Sequence, residues 1–170
     1  LLALACASHS GERYHLDGVR RMLALGGLDE TDLGNVADYP LDADEQVSWR
    51  AAGRAPASLA QNCSGKHAAM LLTCVVNGWD TATYREPGHP LQRAIVATFA
   101  ELTGEPVEVI AVDGCGAPLL SASLTGLARG FRTLAVADDG PERRVADAIR
   151  AHPAYVSGST RDERALLTAI

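Results

Sequence analysis

The stretch Gln61-Asn62-Cys63-Ser64-Gly65-Lys66-His67-Ala68-Ala69-Met70 holds the chain's single lysine; the rest of its 15 Lys and Arg residues are arginine. Arginine keeps its proton at any workable pH, whereas burial or a nearby cation can neutralise a lysine. Only the neutral amine serves as base, nucleophile or metal ligand. Cys63 lies three residues before Lys66, so on a helix its sulfur and the amine fall on nearly one face. A solvated lysine at a helix start is the plain use of such a residue. Cys63, Asn62 and His67 beside it favour a site.

Two further polar corners have the same character. Ser8-His9-Ser10-Gly11-Glu12 follows one apolar run, and Asp113-Gly114-Cys115-Gly116-Ala117-Pro118 follows another. Cys63, Cys115 and Lys66 or His67 could form a zinc site. Thiolates suit that ion, histidine is its ordinary nitrogen ligand, and a bound dication favours the neutral amine. Isolated cysteines are more often buried small hydrophobes. Cys6, inside an apolar run, and Cys74, about three helical turns beyond Cys63, are read as core. A Cys63–Cys115 disulfide is the competing use of that pair. Ser8 and Ser10 are nucleophile candidates, and amines act as the base for serine in several hydrolase families. Capping the next helix is the commoner use of such serines. His89 and His152 each precede a proline and read as structural.

Elements of an α/β chain are needed to hold these corners. Leu1 to Ala7 is an apolar run of strand length. Leu16, Val19, Met22, Leu23 and Leu25 then recur at helical spacing until Gly26-Gly27 stops the helix. Residues 28–60 read as mostly irregular, with one helix near Asp44 to Ala52. A strong helix is predicted over Ser64 to Val76, capped by Asn62 or Ser64 and stopped by Asn77-Gly78. Gly65 near its start admits a close backbone or ligand. Pro90 opens a helix to about Leu102, closed by Gly104. Val107 to Val112 reads as a second strand. Residues 119–131 and 141–151 read as helices, His152-Pro153 breaks the latter, and Thr160 to Ile170 reads as another.

At 170 residues the chain suits one domain with a sizeable core. A formal charge of −6 and a pI near 5.3 leave no basic stripe for phosphates, which argues against nucleic acid as a partner. The opening apolar run is too short for a membrane span or a complete signal peptide. Four cysteines at irregular spacings suggest a reducing compartment, so a cytoplasmic location is expected. The sequence opens Leu-Leu-Ala-Leu-Ala-Cys with no methionine, and it is read as an internal piece of a longer protein.

Taken together, Cys-Ala-Ser-His-Ser-Gly-Glu-x-x-His (Cys6 to His15), Asn-Cys-Ser-Gly-Lys-His-Ala-Ala-Met (Asn62 to Met70) and Asp-Gly-Cys-Gly-Ala-Pro (Asp113 to Pro118) resemble the rhizobial-type L-asparaginases of the asparaginase II family. The similarity covers nearly the whole chain. It implies a mixed sheet flanked by helices, similar to glutaminases and serine β-lactamases, with these residues the central part of one incomplete domain. It implies hydrolysis of L-asparagine to L-aspartate and ammonia by a serine/lysine mechanism. Within it, Ser8 matches the family's second catalytic serine, and Cys63, Lys66 and Cys115 match its zinc ligands. Asp113 and His67 are expected to bind substrate. L-asparagine is the expected small-molecule partner, and a homodimer is an assembly to be considered. The family's Arg-Ser-x-x-Lys motif belongs before Leu1 and its Lys-x-Gly-Ala motif after Ile170, so these residues alone are expected to be inactive. Two rivals stand beside this reading. Cys63 could be the nucleophile with Lys66 as its base, or the chain could be a zinc-stabilised, non-catalytic amino-acid-binding module.

Overall fold

A computed structural model describes residues 1–169. It is a mixed α/β structure, mostly helical, with one small antiparallel sheet. Its helices are α1 (Leu2–Ala5), α2 (Arg13–Leu25), α3 (Ala43–Ala51), α4 (Ser64–Asn77) and α5 (Pro90–Thr103), then α6 (Leu124–Val136), α7 (Gly140–Ala151), α8 (Pro153–Val156) and α9 (Asp162–Thr168). Strands β1 (Ile110–Val112) and β2 (Pro118–Leu120) lie between α5 and α6.

The centre of the molecule is the packing of α2 on α4. The spaced apolar residues of α2 (Leu16, Val19, Met22, Leu23) are buried against Ala68, Leu71 and Cys74 of α4. Removing about four such side chains from water is worth roughly 1.5–3 kcal/mol each, enough to fix where α4 begins. Cys74 is therefore core, as its spacing suggests. Gly78 and Gly104 end α4 and α5 in the left-handed conformation, and Pro90 opens α5 with His89 as its cap.

Short α1 packs across the start of α4. Gly65 permits this. A Cβ there would overlap the Leu4 carbonyl oxygen and come 2.9 Å from Leu4 Cγ. The opening run is thus a helix rather than the expected strand, with Ala3 and Leu4 buried and Leu1 and Leu2 exposed. Leu and Ala are strong helix formers, and the run contains no β-branched residue to favour extension. Cys6 moves with this correction. It is exposed at the C-cap of α1, its thiol donating to Leu2 O at 3.2 Å.

The expected mixed sheet reduces to a two-stranded ribbon pairing Ile110 with Leu120, Ala111 with Leu119 and Val112 with Pro118. The second predicted strand is shorter than expected and exposed. The helix expected from residue 119 begins at Leu124, because Pro118–Leu120 is used in the ribbon. Ser123 caps that helix, its Oγ accepting from Gly126 N at 3.0 Å while its own amide donates to Glu105. The last predicted helix is seen as Asp162–Thr168, and its expected end at Ile170 lies outside the described residues. All four cysteines are free, so the Cys63–Cys115 disulfide does not form. Among the described residues no helix is long and apolar enough to cross a membrane.

Candidate active site

The three polar corners meet. Ser8 follows α1, Cys63 and Lys66 stand at the start of α4, and Asp113 and Cys115 lie in the loop of the β1–β2 ribbon. The loop closes on itself through Asp113 N to Ala117 O and Gly116 N to Asp113 O, both 2.8 Å. Val36 N donates to Cys115 O at 3.2 Å and pins its tip.

The Ser8 corner is tied to α4 by His9. The His9 amide donates to Asn62 O at 3.0 Å, and its ring spans Gly11 N (to Nδ1, 3.1 Å) and Ser64 Oγ (Nε2, 2.9 Å). With Nδ1 accepting from an amide, Nε2 carries the proton and the ring is neutral. Burial, with His15 stacked at 5.0 Å, pushes the His9 pKa down to about 3. His9 therefore braces two corners and is no base for Ser8. Ser8 Oγ lies 4.0 Å from Cys63 Sγ, the outer limit of a sulfur contact.

Cys63 is half-buried. Its amide donates to Gln61 Oε1 at 2.9 Å, and Gln61 is held in turn by Asn35 Nδ2 at 3.0 Å. Helix α4 thus starts on Cys63 with Gln61 satisfying the first amide; neither Asn62 nor Ser64 caps it. One turn on, Lys66 Nζ donates to Asp113 Oδ2 at 3.0 Å, and the Cys115 thiol donates to the same oxygen at 3.2 Å. Burial works against the Lys66 charge, but the bond to the Asp113 carboxylate, with smaller contributions from its other neighbours, outweighs it and raises the amine's pKa. The Lys66 bond, first among several hydrogen bonds, holds the Asp113 carboxyl low, while burial and Asp113 raise the Cys115 thiol.

The ligand atoms of Cys63, Asp113 and Cys115 all lie within 4.8 Å of one another. Donors bound at 2.0–2.3 Å to one tetrahedral ion stand about 3.3–3.8 Å apart, so small side-chain movements would complete a site. Two thiols, an amine and a carboxylate suit zinc better than magnesium or calcium. His67 lies elsewhere. It is fully buried, with Nδ1 2.5 Å from the Tyr84 hydroxyl and Nε2 without a partner. Burial first, then Lys66, drives its pKa down to about 3. The His67 amide donates to Cys63 O at 3.1 Å as part of the helix start, but among the described residues no hydrogen bond joins its ring to Ser8, Cys63, Lys66, Asp113 or Cys115.

Ser10 does not cap α2. Glu12 does so through a capping box with His15, while Ser10 Oγ is buried without a partner. Gln61 and Tyr84, which hold the site's elements, carried no signal in the sequence beyond their polarity. Asp113 as a companion of the metal-type donors was signalled only by standing two residues before Cys115.

A serine hydroxyl, two thiols, an amine and a carboxylate gather at a helix start in a mixed α/β chain, and the thiols and carboxylate are close enough together that they could hold a metal ion. The family model of L-asparaginase II matches residues 1–170, and the chain belongs to that family, whose reaction is hydrolysis of the asparagine side-chain amide. No curated protein matches the chain.

Proposed function

We propose that these residues form the metal-bearing part of the active site of an L-asparaginase in which Ser8 is a catalytic serine. The convergence of Ser8, Cys63, Lys66, Asp113 and Cys115 from three separate stretches supports this reading. A serine gains nucleophilicity when a base takes its proton, and the acyl enzyme that follows is released by water as aspartate after ammonia leaves. Lys66 is held by Asp113 as an ammonium and would give up that proton only to bind the ion, so in neither state is its lone pair free for Ser8. The base for Ser8 is assigned to a lysine outside these residues, in the Lys-x-Gly-Ala motif that the resemblance implies. Cys63, Cys115 and Lys66 would hold zinc, with Asp113 orienting the amine or joining the ligands. The ion would supply a fixed positive charge that orients the substrate or stiffens the corner. Asp113 is assigned to substrate contact at the edge of this cluster. His67 would act on the substrate only through its neighbour Lys66. Four free thiols fit a cytoplasmic enzyme.

The test is ammonia release from L-asparagine by the intact protein and its Ser8→Ala variant. A loss of about 10²-fold or more in kcat with Tm unchanged is expected. Parental turnover in Ser8→Ala, with turnover abolished by alkylation of Cys63 in metal-free protein, would replace this reading by a Cys63 nucleophile.

A further inference from the structure

The Ser8 corner is gripped from outside by a segment some 150 residues away. Ser157-Gly158-Ser159-Thr160-Arg161 crosses Ser8-His9-Ser10-Gly11-Glu12, and every residue of the crossing makes a contact. Ser10 N donates to Ser157 O at 2.7 Å. Gly158 lies flat on Ser10, where a Cβ would overlap the hydroxyl and come 2.6 Å from Ser10 Cβ. Ser159 N donates to Glu12 Oε1 at 2.7 Å, and Thr160 Oγ1 to Asp42 Oδ2 at 2.9 Å. Asp42 is itself bound to the corner through its amide and Ser10 O, 2.9 Å. The last contact is the one that reaches the serine: the terminal NH1 of Arg161 donates to Ser8 O at 3.1 Å.

The geometry points to Arg161 as a positioning residue for Ser8, an inference that rests on the reading of Ser8 as catalytic. Its guanidinium plane is fixed on the other side by Glu163, with Nε to Oε2 at 3.1 Å and NH2 to Oε1 at 2.6 Å. A planar fork held by two bonds has its third nitrogen aimed in one direction, toward the Ser8 carbonyl. Fixing that carbonyl fixes the peptide plane after Ser8, and with the His9 amide bound to Asn62 O at 3.0 Å that plane is held at both ends. The Cα–Cβ bond of Ser8 is then directed by neighbours rather than by its own rotamer alone. Lysine could reach the same carbonyl but could not be locked by Glu163, since an ammonium on a flexible stem has no plane. Arg161 touches the backbone of Ser8 and need not touch substrate. Losing it should therefore lower the reaction rate without weakening binding.

The experiment compares Arg161→Ala, Arg161→Lys, Arg164→Ala and Ser8→Ala in the intact protein, by kcat, KM and Tm. Arg164 is the control for the crossing itself: its NH1 donates to Ser159 O at 2.8 Å and does not reach Ser8. Expected for Arg161→Ala is a kcat about 10- to 100-fold lower with KM within about 2-fold, the cost of a misdirected reacting group. Millimolar guanidinium should restore part of that rate. Arg161→Lys should be intermediate and is read in its place should Arg161→Ala fail to fold. Arg164→Ala should stay within about 2-fold of the parent in kcat. Parental kcat in both Arg161 variants, with Ser8→Ala inactive, overturns the inference alone. So does a rise in KM in place of a fall in kcat, or an equal loss in Arg164→Ala with no guanidinium rescue. Parental turnover in Ser8→Ala removes the reading of Ser8 and this inference with it.

Discussion

Gly65→Ala puts a methyl where the Leu4 carbonyl now sits. The new Cβ would overlap Leu4 O and lie 2.9 Å from Leu4 Cγ and 3.1 Å from Leu4 C, two of the three being backbone atoms. Ordinary carbon–carbon contact is about 3.5–4.0 Å, so α1 must retreat by roughly 0.5–1 Å. Overpacking costs about 1–3 kcal/mol, and a backbone obstacle belongs at the upper end. Alanine returns up to about 1 kcal/mol of helix propensity. The net loss is about 2 kcal/mol, or about 4–8 °C in Tm for a chain of this size. The displaced segment leads directly into Ser8, so turnover should fall by more than the loss of folded protein accounts for. Thermal melts of the intact protein with ammonia-release kinetics make the measurement. Gly88→Ala is the control: a Cβ there meets nothing within 4 Å, and its Tm should not fall. A Tm equal to or above the parent's in Gly65→Ala would refute the reasoning, since propensity would then have outweighed a contact that gives way freely.

Three other outcomes follow from the structure. Ser10→Ala removes a buried hydroxyl that has no hydrogen-bond partner, so chemical denaturation should show unchanged or greater stability, the opposite of a lost cap. The His9 pKa, held at about 3 by burial and His15 against an ordinary 6.5, makes the unfolded chain the better proton binder below pH 6.5. Its contribution is therefore fully present above that pH and lost progressively as pH falls toward 3; between pH 7.5 and 5 the loss is about 2 kcal/mol, and melts of His9→Gln should show a correspondingly shallower pH dependence. Residues 1–170 purified alone should release no ammonia above the Ser8→Ala background, because Lys66 is bound to Asp113 and His9 is locked, leaving Ser8 without a base; turnover above background would place a working base within them.

What could be read from the sequence was local. Gly78, Gly104 and Pro90 bound their helices because each acts through its own backbone geometry. Hydrophobicity alone cannot separate a short strand from a short buried helix in the Leu1–Ala7 run; its Leu/Ala content, free of Val, Ile and Thr, is the better signal and agrees with the helix. Capping is the commoner use of serines such as Ser8 and Ser10, but the capping box at the start of α2 is made by Glu12 and His15, and Ser10 faces Gly158. The nearness of Cys63 to Cys115 was foreshadowed by their setting at polar corners. The bonds of Arg161 to Ser8 and of His67 to Tyr84 were not, because they join residues 153 and 17 positions apart and depend on how whole elements pack.

The solitary lysine also makes the segment its own reporter of opening. A lysine-specific protease has one target among these 170 residues, the bond between Lys66 and His67. That bond lies inside the first turns of α4, with His67 fully buried. A protease needs an extended stretch of chain, so cutting there waits until the helix start and its α1 cover come apart. When reclosing outpaces cleavage, the rate of appearance of the two products, residues 1–66 and 67–170, measures how often the metal-type corner opens. Any ligand or ion seated on Cys63, Lys66 and Cys115 should slow that clock, giving a measure of occupancy that needs no turnover at all.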